Sequence, residues 1–122
     1  MCGILGVISE SGFSSEEIEG MLEIIKHRGP DGRGKREFKL PELGLSVNFG
    51  HVRLAILDLT ESGLQPMNYL KRYWITFNGE IYNYKELKVE LEEQGCVFLT
   101  DTDTDTDTDT DTEVLLVAYV EW

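Results

Sequence analysis

The sequence predicts a layered α/β domain, and three observations predict it. Short β-rich runs recur along the chain; two stretches carry helix-start signals ahead of an apolar pattern of helical period; and the last ten residues form an apolar, helix-like run. With 122 residues, 41% of them hydrophobic, the chain suits one domain with a real core.

Taken in order, Ile4 to Ile8 is a β-rich run that predicts a buried strand. Ser14 followed by Glu17 fits a capping box, in which hydroxyl and carboxylate each satisfy a free backbone N–H. The helix behind it places Ile18, Met21, Leu22 and Ile25 on one face. It should end near His27, because Arg28-Gly29-Pro30-Asp31-Gly32 is turn chemistry. Leu45 to Phe49 and His51 to Leu57 alternate and predict two strands. The second has Val52, Leu54 and Ile56 on one face and His51, Arg53, Ala55 and Leu57 on the other. Tyr73 to Phe77 predicts another strand, and Asn78-Gly79 predicts a tight hairpin turn into a strand at Glu80 to Tyr82. Asn83, with Glu86 three residues on, predicts a capped helix carrying Leu87 and Leu91 and stopped by Gly95. Val97 to Leu99 reads as a short strand, and Glu113 to Trp122 as a final helix. That helix has no C-cap, which predicts a truncated chain.

Formal net charge is −12, from 11 basic and 23 acidic side chains. Six of the acids fall in an uninterrupted Asp-Thr repeat from Asp101 to Thr112, which leaves −6 for the remainder. That balance argues against nucleic acid or an anionic membrane as partner. No apolar run approaches the length of a membrane span. The N-terminus MCGILGVISESG lacks a basic region and makes a poor signal peptide. A cytoplasmic location follows as the expectation, with Cys2 and Cys96 as thiols.

Cys2 is the first candidate for chemistry. Removal of Met1 would place a thiol and a free α-amine on one residue. Such an amine titrates near ~7.8, close enough to neutrality to serve as a general base. One residue could then supply nucleophile and base together. Taken alone, a Met-Cys start more often marks a small core cysteine, and Asn78-Gly79 is simply a good turn. Arg53 alone reads as a strand-surface charge, and His51, on its face, as a structural hydrogen-bonding residue. HRGPDG reads as a shaped loop, in which Arg28 and Asp31 could equally form a solvated pair. Tyr82 and Tyr84 read as packing residues, and Cys96 as buried beside Val97 and Phe98.

Several motifs occur in order: MCGI, HRGPDG (27–32), GHVRLAILDL (50–59), QPM (65–67), NGEIYNY (78–84) and DTEVLLVAY (111–119). Together they resemble the class II glutamine amidotransferases, the N-terminal-nucleophile glutaminase domains, and within them the asparagine synthetase branch. The resemblance covers nearly the whole chain. It implies an incomplete αββα sandwich: residues 1–122 as the N-terminal part of a glutaminase domain, 101–112 as a repeat loop, and a synthetase domain that is absent. It implies Cys2 as the nucleophile on the glutamine side-chain amide. Asn78 and Gly79 would be the oxyanion hole, a donor pair of the kind whose loss costs ~10²–10³ in rate. Arg53, with Leu54 and Ile56 beside it, would hold the substrate carboxylate end, a task that suits a planar guanidinium fork. Glu80 and the aspartate before Thr-Glu-Val would bind the α-ammonium. The glutaminase part would need no cofactor or metal. ATP and Mg²⁺ would act in the synthetase domain, which amidates aspartate, and the full-length protein could be a homodimer. Two alternatives stay open: an amidotransferase domain serving another acceptor, such as a surface sugar, and a non-enzymatic acidic fragment.

The family pattern before the last helix is roughly F-x-T-x-S-D-T-E-V. Counted from Phe98, its aspartate falls at Asp103, yet Thr-Glu-Val begins at Thr112 and its aspartate is Asp111, an excess of four Asp-Thr pairs. In extended chain the repeat's aspartates would lie ~6.8 Å apart on one face and repel by roughly 0.6 kcal/mol per neighbouring pair in water. This predicts a solvated loop. A cation site there lacks the glycine turn and the EF-hand spacing.

Overall fold

The structure, a computed structural model, describes residues 1–55, 63–99 and 111–122. The element order is β1 (Gly3–Ser9), α1 (Ser15–Ile25), β2 (Gly32–Leu40), β3 (Leu45–Arg53), β4 (Met67–Tyr69), β5 (Tyr73–Ile75), α2 (Tyr84–Glu93) and α3 (Asp111–Glu121). A 3₁₀ turn, Lys26–Arg28, follows α1. Mixed helices and antiparallel strands make this a small α+β domain. One sheet has the order β1-β3-β2, and a second holds the β4-β5 pair.

β3 is the centre of the first sheet. It runs unbroken through Gly50, so the two runs predicted around that glycine are one strand. Gly3 pairs with Val52 and Ser9 with Ser46; on the other side Gly32 pairs with Arg53 and Leu40 with Leu45. Strand β2, GRGKREFKL, has no apolar alternation that would announce it. It is an edge strand, where lysine and arginine are tolerated because they blunt edge-to-edge pairing.

Helix α1 covers one face of this sheet. Ser14 Oγ accepts from the Glu17 N–H at 3.2 Å while Glu17 Oε2 accepts from the Ser14 N–H at 2.8 Å, the predicted capping box. Ile18 and Leu22 bury against Val52, with Leu5, Phe13, Met21 and Ile25 around them. The predicted burial of β1 holds for one face only. Ile4 and Ile8 point away from α1 and are 54% and 68% exposed, because a strand turns successive side chains to opposite faces.

The second core joins α2, α3 and the β4-β5 hairpin around Tyr69, Leu91, Phe98, Val114 and Val117. Helix α3 is apolar almost all round, and Val114, Leu116, Val117 and Ala118 are buried. Gly95, at φ +90°, takes the left-handed conformation that ends α2.

Five local expectations differ from the structure. Glu80 to Tyr82 is not a strand, and Asn78-Gly79 does not close a hairpin; the hairpin lies upstream, turning at Leu70-Lys71. Val97 to Leu99 is irregular, since the Leu99 N–H goes instead to Glu113 Oε1 at 2.6 Å. Asn83 stands at the N-cap of α2 without a side-chain cap bond. Tyr82 is 90% exposed, whereas Tyr84 does pack against the second core.

Candidate functional site

Cys2 lies just before β1, and the β1–β3 register carries it to the C-terminal end of β3. Its Sγ accepts from the Leu54 N–H at 3.4 Å and lies 4.0 Å from the Leu54 carbonyl oxygen. Arg28 Nε donates to the Cys2 carbonyl at 3.1 Å. Asp31 Oδ2 accepts from the Ala55 N–H at 2.9 Å, and the Asp31 N–H donates to the Arg53 carbonyl at 3.0 Å. Arg28 and Asp31 are therefore not a solvated pair: each fixes backbone beside the thiol. Gly29 is needed here, because a Cβ on it would sit 2.5 Å from the Val52 carbonyl. HRGPDG is thus a loop stitched onto the β1 and β3 ends.

Arg53 belongs to the same corner. A Cβ on Gly63 would lie 2.5 Å from Arg53 Nη2, so residue 63 passes directly over the guanidinium. Ile56 falls outside the described residues, as does the repeat up to Thr110.

His51 shares the Arg53 face of β3. It is 1% exposed, and neither ring nitrogen has a hydrogen-bond partner among the described residues. The expected hydrogen-bonding role is not observed, and the register explains why. Its cross-strand neighbours are Ile4 and Gly34, which offer no polar side chain, and the next side chain on its own strand is a cation. Burial first, then the Arg53 charge, push its pKa down to about 4, so the imidazole is neutral at pH 7.

Asn78, Gly79 and Glu80 form an exposed, irregular stretch in a second group of residues. Asp111, the first residue of α3, joins them: its Oδ2 accepts from the Ile81 N–H at 2.9 Å. The first group is the Cys2–Arg53–Leu54 corner. Gln65 stands between them. Its carbonyl packs on β2, where a Cβ on Gly34 would come within 2.2 Å of it, and its side chain reaches both Phe77 and Thr112. Gln65 opens the QPM motif, and nothing in the sequence says which backbone amide it caps.

Cys96 is a separate matter. It is half-buried against the second core, with its neighbour Val97 64% exposed, and its Sγ donates to Glu121 Oε2 at 3.7 Å. Burial, then the Glu121 carboxylate, push this thiol up, which makes it a poor nucleophile. Both cysteines are free, no three His, Cys, Asp or Glu among the described residues form a metal-binding group, and no helix among them is long and apolar enough to cross a membrane.

A thiol on the second residue is tied to a strand that also bears an arginine, and the chain belongs to the glutamine amidotransferase domain family, which it matches over residues 1–122. Among curated proteins, it is 43% identical to asparagine synthetase [glutamine-hydrolyzing] 1 of Bacillus subtilis, over 98% of this chain and 17% of that protein. It is 41% identical to asparagine synthetase [glutamine-hydrolyzing] 1 of Lotus japonicus, over 75% of this chain and 15% of that one. It is 37% identical to amidase chry2 of Gibberella zeae, over 77% and 15% respectively. The chain thus spans between 15% and 17% of the length of these three relatives. No solved structure matches it.

Proposed function

We propose that residues 1–122 are the N-terminal part of a glutaminase domain of the αββα N-terminal-nucleophile kind, and that Cys2 hydrolyses L-glutamine to glutamate and ammonia. The observation that carries this reading is the Cys2 thiol held by the Leu54 N–H at the end of the strand that bears Arg53. Met1 is 77% exposed and open to removal, which frees the Cys2 α-amine. That amine takes the thiol proton, and the sulfur attacks the side-chain amide carbon. Negative charge passes to the amide oxygen, where Asn78 and the Gly79 N–H act as donors. The C–N bond then breaks, the leaving nitrogen takes the proton from the amine, and ammonia departs. Water cleaves the thioester, giving glutamate and the free thiol. Arg53 takes the substrate carboxylate, Leu54 and Ile56 contribute to substrate binding, and Glu80 and Asp111 take its ammonium. Ammonia goes on to amidate aspartate in a synthetase domain outside these residues. ATP and Mg²⁺ serve that domain, and no residue of this chain is assigned to them.

The test uses a glutamine analogue with a diazomethyl ketone in place of the side-chain amide. Intact mass should show one adduct at Cys2, with loss of dinitrogen, in chain lacking Met1. Excess glutamine should suppress it, and Cys2→Ala should abolish it. An adduct that persists in Cys2→Ala would put the nucleophile elsewhere. Equal labelling with Met1 retained would remove the amine from its role as base.

A further inference from the structure

We propose that Gln65 is a positioning residue, which with Thr112 and Asp111 clamps the Asn78–Gly79–Glu80 segment at both ends. Gln65 Oε1 accepts from the Phe77 N–H at 2.5 Å, immediately before Asn78. Its Nε2 donates to Thr112 Oγ1 at 3.3 Å, and Thr112 Oγ1 donates to Asp111 Oδ1 at 3.4 Å. Asp111 Oδ2 accepts from the Ile81 N–H at 2.9 Å, immediately after Glu80. The side chains of Gln65, Thr112 and Asp111 thus form one relay between the two backbone amides that bracket the segment.

The contrast in burial gives this relay its meaning. Gln65 and Thr112 are 7% and 5% exposed, while Asn78, Gly79 and Glu80 between the anchored amides are all exposed. A short solvent-facing stretch cannot hold a donor pair in a fixed direction by itself; buried anchors on both sides can. The chemistry selects the residue types. Glutamine presents one acceptor and one donor in a single planar amide, and threonine can accept from it while donating onward. Glutamate at 65 would keep the acceptor and lose the donor. Because the Gln65 carbonyl also rests on Gly34 of β2, the same residue ties the segment to the sheet that carries Cys2 and Arg53. Asp111 accordingly has two tasks. It closes the clamp, and its carboxylate keeps lone pairs for a substrate ammonium.

The idea rests on the glutaminase reading for its consequence, and its test separates the two. Cys2 alkylation is followed with the diazomethyl ketone analogue and with iodoacetamide, which needs the thiol and no glutamine pocket. Amide hydrogen exchange is followed at Phe77, Ile81 and, as a core reference, Val52. In Gln65→Ala, analogue labelling should slow roughly tenfold, the size expected for losing buried hydrogen bonds, while iodoacetamide labelling stays within about twofold. Exchange at Phe77 and Ile81 should quicken and Val52 should not change. Thr112→Val should leave Phe77 protected but slow analogue labelling, and Thr112→Ser should restore it. The clamp is overturned if Gln65→Ala leaves analogue labelling and both amides unchanged, or if Val52 exchange and iodoacetamide labelling shift in parallel with them. A wild-type chain that ignores the analogue refutes the glutaminase reading alone. The exchange data then decide the clamp, which stands if Phe77 and Ile81 quicken in Gln65→Ala and falls if they do not.

Discussion

Acid should destabilise this domain well above the pH at which its carboxylates titrate, and His51 is the reason. Its imidazole is 1% exposed, both nitrogens lack partners among the described residues, and its pKa is depressed from 6.5 to about 4. Once the chain unfolds, His51 regains its ordinary affinity for a proton. The unfolded state therefore binds more protons than the folded one between those two values. The corresponding stability is complete above pH 6.5 and is lost as pH falls towards 4. At 1.36 kcal/mol per unit, about 2 kcal/mol should go between pH 7 and pH 5, and about 3 kcal/mol by pH 4. The carboxyls of Glu17, Glu19 and Glu23 are held below their ordinary value of 4.5, chiefly by the Ser14 backbone, Lys35 and Lys26 respectively, so their contribution is kept above that value and is not lost between pH 7 and pH 5. The perturbation is His51→Leu, which replaces an unsatisfied polar ring by an apolar side chain and should be neutral or stabilising at pH 7. Urea unfolding at pH 7, 6 and 5 is the assay. Wild type should lose stability across the series and the variant should stay nearly level. Equal slopes would mean that His51 protonation is not coupled to folding, and the account of its burial would be wrong.

Two further outcomes follow from the same structure. Leu70 and Lys71 both have positive φ, +55° and +57°, in the β4-β5 turn, a conformation that disfavours side chains, so Lys71→Gly should raise the unfolding free energy by up to about 1 kcal/mol, read as a higher urea midpoint. Asp111→Asn should weaken glutamine protection of Cys2 by roughly tenfold while leaving the Ile81 amide protected, because asparagine keeps an acceptor and loses the charge, whereas Asp105→Asn should do little; equal losses would make the repeat a collective electrostatic element.

What the sequence revealed tracks how local the signal is. The α1 capping box and its apolar face were legible because the partners lie three or four residues apart, and both are present. Helix α3 was legible from its apolar run. The hairpin lies elsewhere than its turn signal for a physical reason. Asn78-Gly79 carries the strongest short-range turn signal, but Phe77 and Ile81 on either side give their N–H groups to Gln65 and Asp111 instead of to each other. The real hairpin turns at Leu70-Lys71, which have no turn propensity to announce it. Strand β2 was invisible because an edge strand may be charged throughout, and its pairing is set by β3. Cys2 and Arg53 stand out in the sequence, and the strand register brings both to one end of β3. Gln65 and Thr112 could be recognised as polar and suspected of little else, since their partners are 12 and 47 residues away.

The Asp-Thr repeat raises a sharper question, since Asp109-Thr110 is locally identical to Asp111-Thr112. The register is nonetheless set from the C-terminal side. If Asp109 took the Asp111 position, Asp111 would replace Glu113, one methylene shorter, and could not reach the Leu99 N–H that Glu113 Oε1 holds at 2.6 Å. Thr112 would move into the place of Val114, 1% exposed in the second core, and bury a hydroxyl away from the Gln65 amide. Glu113 would take the half-buried position of Leu115, and Val114 the buried one of Leu116. An unsatisfied buried hydroxyl alone costs ~1–3 kcal/mol, and removing a backbone amide's acceptor adds a comparable amount. A slip of two residues therefore disfavours itself by several times thermal energy. The apolar residues that follow the repeat choose Asp111 among six chemically equal aspartates, so extra Asp-Thr pairs change the length of the connection while the residue at the start of α3 stays the same.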